Sequence, residues 1–359
     1  MKIFIRADGG ISIGLGHVMR TLVLGKELKK NNEIIFLCKR SNIEKSHDNN
    51  IKYITEGYNN KYKVGIEKIK ENGFEVIEID ENNIIEDIID LQCKYKADLI
   101  ITDSYNVDEE YFDKLKEYFT LTGYIDDVNK CKMNVDFIIN QNINAEDINY
   151  IPNINKNTKL LLGTKYCMLR DEFRENYKKK QVKRNAEDIL LTLGGMDKDQ
   201  NTMKILDKIK MCSANIHVVV GSAFDEKLIE EIYSLSKKYL NIKVYENANM
   251  STLMKICDLA ISACGSTLYE LCAINVPTIG IIIADNQEMV AKKMKEKFLV
   301  VEVYNVHELE KINLKNNLNK VINNKELRNN MVNNQCKVVN VNGVEEITYE
   351  INRLKNEKV

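Results

Sequence analysis

No apolar run in this chain approaches the roughly 18–20 residues needed to cross a bilayer, so no membrane insertion is expected. The nine cysteines, at 38, 93, 131, 167, 212, 257, 264, 272 and 336, form no CxxC pair and no cluster with histidine. That spacing excludes the usual structural zinc site. Most of them sit in apolar company, as in Phe36-Leu37-Cys38 and Leu271-Cys272-Ala273, and read as small buried hydrophobes in a reducing compartment. Neither sign of charge is in excess. The 52 basic and 53 acidic side chains leave a net −1, which argues against wholesale nucleic-acid binding. Met1-Lys2 leads straight into an apolar strand pattern without a signal-like apolar core or a small-residue cleavage site. The expected location is the cytoplasm.

What is present is an ordinary globular composition, 44% hydrophobic and 29% charged over 359 residues. One hydrophobic core rarely serves that length, so two domains of about 150–200 residues are expected. Short apolar runs alternate with amphipathic helical stretches throughout. Strands are expected at 2–6, 33–38, 75–79, 99–102, 121–125 and 137–140, with helices such as 18–31 and 109–118 between them. The stretch 141–158 is rich in Asn and carries Pro152, one of two prolines, and reads as a loop and domain boundary. The alternation then restarts, with strands expected at 189–193, 216–220, 242–245, 259–262, 278–283 and 299–302. Strands spaced by helices imply βαβ units and parallel sheets. The pattern therefore predicts an α/β chain of two Rossmann-like domains with a cleft between them: residues 1–150, residues 159–340, and a terminal helix within 341–359 packing back on the first domain. The Asn/Lys-rich stretch 315–335 keeps a helical apolar spacing through Leu318, Val321, Leu327 and Met331, and reads as surface helix rather than disorder.

Four turns carry the chemistry. The first is Arg6-Ala-Asp8-Gly-Gly-Ile-Ser-Ile-Gly14-Leu-Gly16-His17-Val-Met-Arg20, where a strand feeds a glycine-rich turn and then a helix. A helix N-terminus presents unpaired N–H groups and the positive end of its dipole, and so favours a phosphate. His17 ends that turn, placing a titratable base beside the anion site. The second turn, Leu193-Gly194-Gly195-Met-Asp197 before Asn201-Thr202, reads either as a repeat of this anion-binding geometry in the second half or as a common Gly-Gly turn after a strand. The third is Cys264-Gly265-Ser266-Thr267-Leu-Tyr-Glu270. Gly265 allows close backbone approach, Ser266 and Thr267 offer hydroxyls to phosphate oxygens, and Glu270 is placed to accept both hydroxyls of a ribose. Thr267 and Glu270 also have the spacing of a capping box. The fourth turn, Asp285-Asn286-Gln287, follows a continuous apolar strand and reads as the rim of a sugar site.

This ordered set resembles the GT-B nucleotide-sugar enzymes, among them the transferase that adds N-acetylglucosamine in peptidoglycan synthesis. It resembles more closely the UDP-2,4-diacetamido-2,4,6-trideoxy-β-L-altropyranose hydrolases of pseudaminic acid biosynthesis. The residues that carry this are the opening turn, Asp103-Ser-Tyr105, Ile125-Asp126-Asp127, Leu162-Gly-x-x-Tyr166-x-x-Leu-Arg170-x-x-Phe173 and Gly265-Ser-Thr-Leu-Tyr-Glu-Leu271. Related sequences also occur in spore-coat polysaccharide synthesis. The resemblance implies a GT-B fold and hydrolysis of a UDP-linked diacetamido-trideoxyhexose to UDP and free sugar, with inversion and without a metal or other cofactor, in a pathway that feeds flagellin glycosylation. It implies that His17 activates the water, an imidazole being suited to proton exchange near neutral pH. Asp8 is expected to orient that imidazole or hold the sugar. Gly14, Gly16, Arg170, Gly194, Gly195, Gly265, Ser266, Thr267 and Glu270 are expected around the UDP, with electrostatic stabilisation of the departing diphosphate. Asp103, Tyr105, Asn286 and Gln287 are expected to face the sugar. The UDP-sugar is the one partner implied, and the chain is expected to act as a monomer.

A glycosyltransferase on the same scaffold, with His17 deprotonating an acceptor hydroxyl, is the alternative. An NAD-dependent dehydrogenase is disfavoured: the position three after Gly16 is Met19, not glycine, and Cys38-Lys39-Arg40 stands where an acid is wanted. A non-catalytic sugar-nucleotide binder would leave His17 without a task. His47 and His307 read as surface residues and His217 as a satisfied core histidine. The Asp126-Asp127 pair reads either as a structural turn or as a substrate contact, and the basic run 178–184 as a solvated stretch.

Overall fold

Ile3, Phe4 and Ile5 are all fully buried, because the strand they form is covered on both faces, as the inner strands of parallel sheets are. The computed structural model describes residues 1–10, 13–41, 61–174 and 179–358. Ile11, Ser12, His47 and Lys178 lie outside the described residues. The chain divides into two compact units, one of Met1–Gln141, Ala145–Leu162 and Val344–Val359, the other of Asn142–Asn144 and Gly163–Gly343.

The first unit holds β1 (Lys2–Ala7), β2 (Glu33–Arg40), β3 (Glu75–Asp80), β4 (Leu99–Asp103), β5 (Leu121–Ile125), β6 (Phe137–Asn140) and β7 (Lys159–Leu162). They form one sheet in the order β3-β2-β1-β4-β5-β6-β7, every pair parallel. Helices α1 (Gly16–Lys29), α2 (Lys63–Glu71), α3 (Ile84–Tyr95) and α4 (Glu109–Tyr118) make the crossovers. Gly123 is in the middle of β5 because the Phe137 ring of β6 lies across it; a Cβ there would sit 2.1 Å from the ring. The first unit does not end at residue 150. Lys159–Leu162 pairs with β6 as the seventh strand, and the expected loop before it holds 3-10 turns at Ala145–Asp147 and Ile151–Asn153. A four-residue strand behind an Asn-rich stretch leaves little periodic signal.

In the second unit β8 (Asp188–Thr192), β9 (Asn215–Val220), β10 (Ile242–Glu246), β11 (Leu259–Ala263), β12 (Thr278–Ile282) and β13 (Val303–Asn305) form a sheet in the order β10-β9-β8-β11-β12-β13. All its pairs are parallel. Helices α5 (Asn201–Ile209), α6 (Glu226–Lys238), α7 (Met250–Ile256), α8 (Thr267–Ile274), α9 (Glu288–Glu296), α10 (Leu314–Asn323) and α11 (Lys325–Gln335) flank it, and α12 (Gly343–Lys358) ends the chain. The strand expected at 299–302 starts later, at Val303. Phe298 adopts a left-handed conformation after α9, and Leu299 and Val300 are spent as buried core. The stretch 315–335 is helical, with Leu318, Val321 and Met331 buried.

Both sheets share one logic. The strand order reverses between β1 and β4 in the first unit and between β8 and β11 in the second. In such sheets a ligand binds beyond the carboxyl ends of the strands at that reversal. The residues there are Asp8 and Asp103 in one unit, and Gly194 and Gly265 in the other. With two parallel α/β sheets of this order, the fold is GT-B.

Candidate functional site

β1 ends at Ala7, and the backbones of Gly10 and Gly14 exchange hydrogen bonds of 3.0 and 2.9 Å. Gly14 has φ +76°, a region that L side chains avoid. α1 then starts at Gly16 with no side-chain cap and no acid in its first turn. Its leading N–H groups are therefore not spent on a side chain of their own helix. A Cβ on Gly16 would meet no described atom within 4 Å, so packing does not account for the glycine.

His17 and Arg20, three residues apart on α1, share one helix face, and that face meets the end of β4. There Asp103 is completely buried, while His17 keeps 13% of its side-chain surface. His17 Nδ1 lies 2.6 Å from Asp103 Oδ1. Arg20 grips the same carboxylate as a fork, Nη2 to Oδ1 and Nε to Oδ2, each at 2.6 Å. Arg20 Nη2 is 3.2 Å from His17 Nδ1. Since a guanidinium only donates, the consistent assignment is that both nitrogens donate to Oδ1. Nδ1 then carries the proton and Nε2 is the basic nitrogen. Burial pushes the Asp103 carboxyl upward, but Arg20 and His17 together outweigh it and hold it below the ordinary carboxylate range. Burial likewise opposes the Arg20 charge, and Asp103 and Asp127 more than restore it.

The Tyr105 and His17 rings meet in a T-shaped arrangement, with centroids 4.7 Å apart, and Tyr105 stays 40% exposed. Its hydroxyl donates to Asp127 at 2.8 Å, and Asp127 also receives Arg20 Nη1 at 3.3 Å. Two expectations are corrected here. Asp8 does not orient the imidazole: its carboxylate accepts the Lys39 backbone N–H at 2.9 Å and the Ser104 hydroxyl at 3.3 Å, and Asp103 takes the orienting place. Asp103, expected to face a sugar, is instead sealed beneath His17 and Arg20. The acidic pair divides. Asp126 accepts the backbone N–H of Val128 and Asn129 and the Tyr150 hydroxyl, so it shapes the turn, with burial pushing its carboxyl up. Asp127 joins the His17 cluster. Sequence alone gives Arg20 no role, although its i, i+3 spacing from His17 is a signal there, and it reads Asp127 only as half of the Asp126-Asp127 pair, without a link to His17.

In the second unit the three turns differ. Gly194 has φ +103° after β8, and neither Gly194 nor Gly195 would bring a Cβ within 4 Å of a described atom. The helix that follows is not an open anion site. Asp197 caps α5, its two oxygens accepting from Asn201 N at 2.8 Å and Thr202 N at 2.7 Å. By contrast α8 begins after Gly265 with Ser266 at its N-cap and no side-chain cap, so the expected capping box does not form. Glu270 faces Arg170, whose Nε and Nη2 reach its two oxygens at 2.7 and 2.9 Å. Burial raises the Glu270 carboxyl, against the pull of Arg170. The Arg170 guanidinium lies over the Phe173 ring, 4.9 Å from its centroid. Asn286 and Gln287 lie on a 3-10 turn. Gln287 Oε1 accepts from Ile283 N at 3.1 Å, and its Nε2 is 3.8 Å from where a Cβ on Gly265 would be.

Other titratable groups have structural partners. His217 is 2% exposed, between Asp188 and Tyr245 at 2.9 Å each. His307 is exposed on a 3-10 turn. Among the described residues one acidic group, Glu187, Asp188 and Asp258, has the spacing of a metal site. Lys183 lies in it, 2.7 Å from Glu187 and 3.0 Å from Asp258, and supplies the positive charge. The run 178–184 is therefore not wholly solvated, as Lys180 also reaches the carbonyls of Met254 and Lys255. Six of the nine cysteines are buried, but Cys93 and Cys336 are exposed and Cys131 half-buried, and all are free thiols.

Residues 193–351 match the glycosyltransferase family 28 C-terminal domain. An uncharacterized protein of Methanocaldococcus jannaschii is 33% identical over 294 residues, 78% of this chain. This chain spans 55% of that protein's length. The UDP-2,4-diacetamido-2,4,6-trideoxy-beta-L-altropyranose hydrolase of Campylobacter jejuni is 24% identical over 308 residues, 84% of this chain and 99% of that protein. Among solved structures, MurG of Acinetobacter baumannii superimposes with a TM-score of 0.64 over 98% of this chain and 99% of its own, at 13% identity.

Proposed function

We propose that the chain hydrolyses a UDP-linked 2,4-diacetamido-2,4,6-trideoxyhexose to UDP and the free sugar. The observation that carries this is the 2.6 Å bond from His17 Nδ1 to buried Asp103, which leaves Nε2 as a base next to the uncapped start of α1. In the reaction a water gives a proton to His17 Nε2 while its oxygen bonds to the anomeric carbon from the face opposite the leaving group. The bond from that carbon to the diphosphate oxygen breaks, its electron pair departs with UDP, and the anomeric centre inverts. Asp103 stabilises the imidazolium as it forms. The diphosphate is assigned to Gly265, Ser266, Thr267 and the first N–H groups of α8, which favour an anion. Glu270 retains acceptor capacity for ribose hydroxyls, because Arg170 uses one lone pair on each oxygen and a carboxylate offers about four. Tyr105 is assigned to the sugar, and Gly14 and Gly16, Gly194 and Gly195, and Asn286 and Gln287 to close backbone and side-chain contacts with the substrate. The relative from Campylobacter, matched over nearly its full length, supports the substrate class, and the site is proposed to work in the cytoplasm.

A second reading, transfer of the sugar to an acceptor hydroxyl deprotonated by His17, is supported by the match to a glycosyltransferase domain. The two separate in one experiment: purified protein with the UDP-sugar and no acceptor, followed by NMR. Release of UDP and free sugar supports hydrolysis. Turnover only after an acceptor is added overturns it.

A further inference from the structure

We infer that Arg20 and Asp127 are positioning residues that keep Asp103 ionised and His17 in its Nδ1-protonated tautomer. This rests on the reading of His17 as the base. Asp103 has no exposed surface, and a lone carboxylate so placed would take up a proton to escape its desolvation. A protonated Asp103 would present a donor to Nδ1, and the imidazole would answer by carrying its proton on Nε2, the nitrogen that has to be free. The Arg20 fork, with both bonds at 2.6 Å, prevents this by matching the carboxylate oxygen for oxygen. Arg20 is itself only 13% exposed, so its direction needs fixing too. Asp127 does that through Nη1 at 3.3 Å and is in turn held by Tyr105.

The arrangement also sets charge. His17 meets Arg20 on α1 and Asp103 and Tyr105 at the end of β4; the other charged groups at the neighbouring strand ends are Asp126 and Asp127 after β5 and Asp8 after β1. Asp8 is compensated by Lys39 at 3.4 Å, and Asp126 is turned to the 128–129 backbone and Tyr150. With neutral His17, the group of His17, Arg20, Asp103 and Asp127 carries one positive and two negative charges. Taking the proton from water brings it to neutrality. Removing the cation therefore favours proton uptake by the His17–Asp103 pair, and removing Asp127 disfavours it.

The test is ¹⁵N NMR of the His17 imidazole in the full chain without substrate, joined to pH–rate profiles of wild type, Arg20→Gln, Arg20→Lys and Asp127→Asn. Wild type is expected to show the Nδ1-protonated pattern at pH above the imidazole titration, and Arg20→Gln a mixture of tautomers. The kcat of Arg20→Gln is expected to fall about 10–100-fold, by analogy with the loss of hydrogen-bond partners that orient metal-bound histidines, with KM changed less than about twofold. The acid limb is expected to move to higher pH in Arg20→Gln and to lower pH in Asp127→Asn. Arg20→Lys keeps the charge without the fork, so the limb stays and the tautomer mixture remains; it also serves if Arg20→Gln does not fold. An unchanged tautomer in both Arg20 variants, or limbs that move in the same direction, overturns the inference. Because the tautomer is read without substrate, failure to hydrolyse any UDP-sugar would strike the proposed function and leave this result to stand or fall separately.

Discussion

Asp103 Oδ1 accepts from His17 Nδ1 at 2.6 Å at the point where β1 and β4 part. A carboxylate with no exposed surface therefore fixes the ring whose other nitrogen remains basic. Replacing the base with a group that keeps its size but loses its proton affinity isolates that role. His17→Asn is expected to lower kcat by about 10²–10⁴, the usual worth of a general base, while UDP affinity by calorimetry stays within about threefold. An unchanged kcat removes His17 from the chemistry.

The same pair makes stability depend on pH. The folded Asp103 carboxyl titrates below its ordinary 3.8. Its contribution is therefore present in full above the ordinary carboxylate range and is lost as pH falls through the depressed folded value. Wild type should lose unfolding free energy below about pH 4, with this group adding at most about 1.4 kcal/mol per pH unit. Asp103→Asn should show a shallower acid slope in denaturant titrations. An identical slope means that the carboxyl is not held down.

Two glycines give opposite outcomes. A Cβ at Gly123 would lie 2.1 Å from the Phe137 ring, so Gly123→Ala should destabilise by about 1–3 kcal/mol, or more if the strands cannot shift. Gly16→Ala meets no described atom and should leave thermal stability within about 0.5 kcal/mol, yet raise KM, because the methyl group enters the space assigned to the substrate. Loss of stability without a change in KM would show that Gly16 serves packing.

Asp197 and Ser266 stand at N-termini that look alike in sequence. Asp197→Ala uncaps α5 and should cost about 0.5–2 kcal/mol, with kcat unaffected. Ser266→Ala combined with Thr267→Val removes no cap and should weaken UDP binding at nearly constant stability. The reverse pattern would move the diphosphate to α5.

Much of this was legible from residue order. The paired sheets follow from apolar runs spaced by helices, and His17 from a strand, a glycine turn and a helix start. What the sequence hides is which carboxylate is used. Asp8 is nearer to His17 in the chain, but β1 carries it toward Lys39, whereas the parallel register Ala7↔Asp103 brings the end of β4 beside α1. The Arg170–Glu270 pair is hidden for the same reason, since only the folded second unit brings residues 100 apart in sequence together. β7 is four residues long and follows the Asn-rich stretch that reads as a domain boundary, and the Asp197 cap competes with the glycine turn that precedes it.

The central claim is that an imidazole-activated water attacks the anomeric carbon. Turnover of the UDP-linked diacetamido-trideoxyhexose in H₂¹⁸O, with mass spectrometry of both products, tests it most directly. The label is predicted on the anomeric hydroxyl of the released sugar, with UDP unlabelled. Label in the UDP phosphate would mean cleavage at phosphorus and would contradict the account.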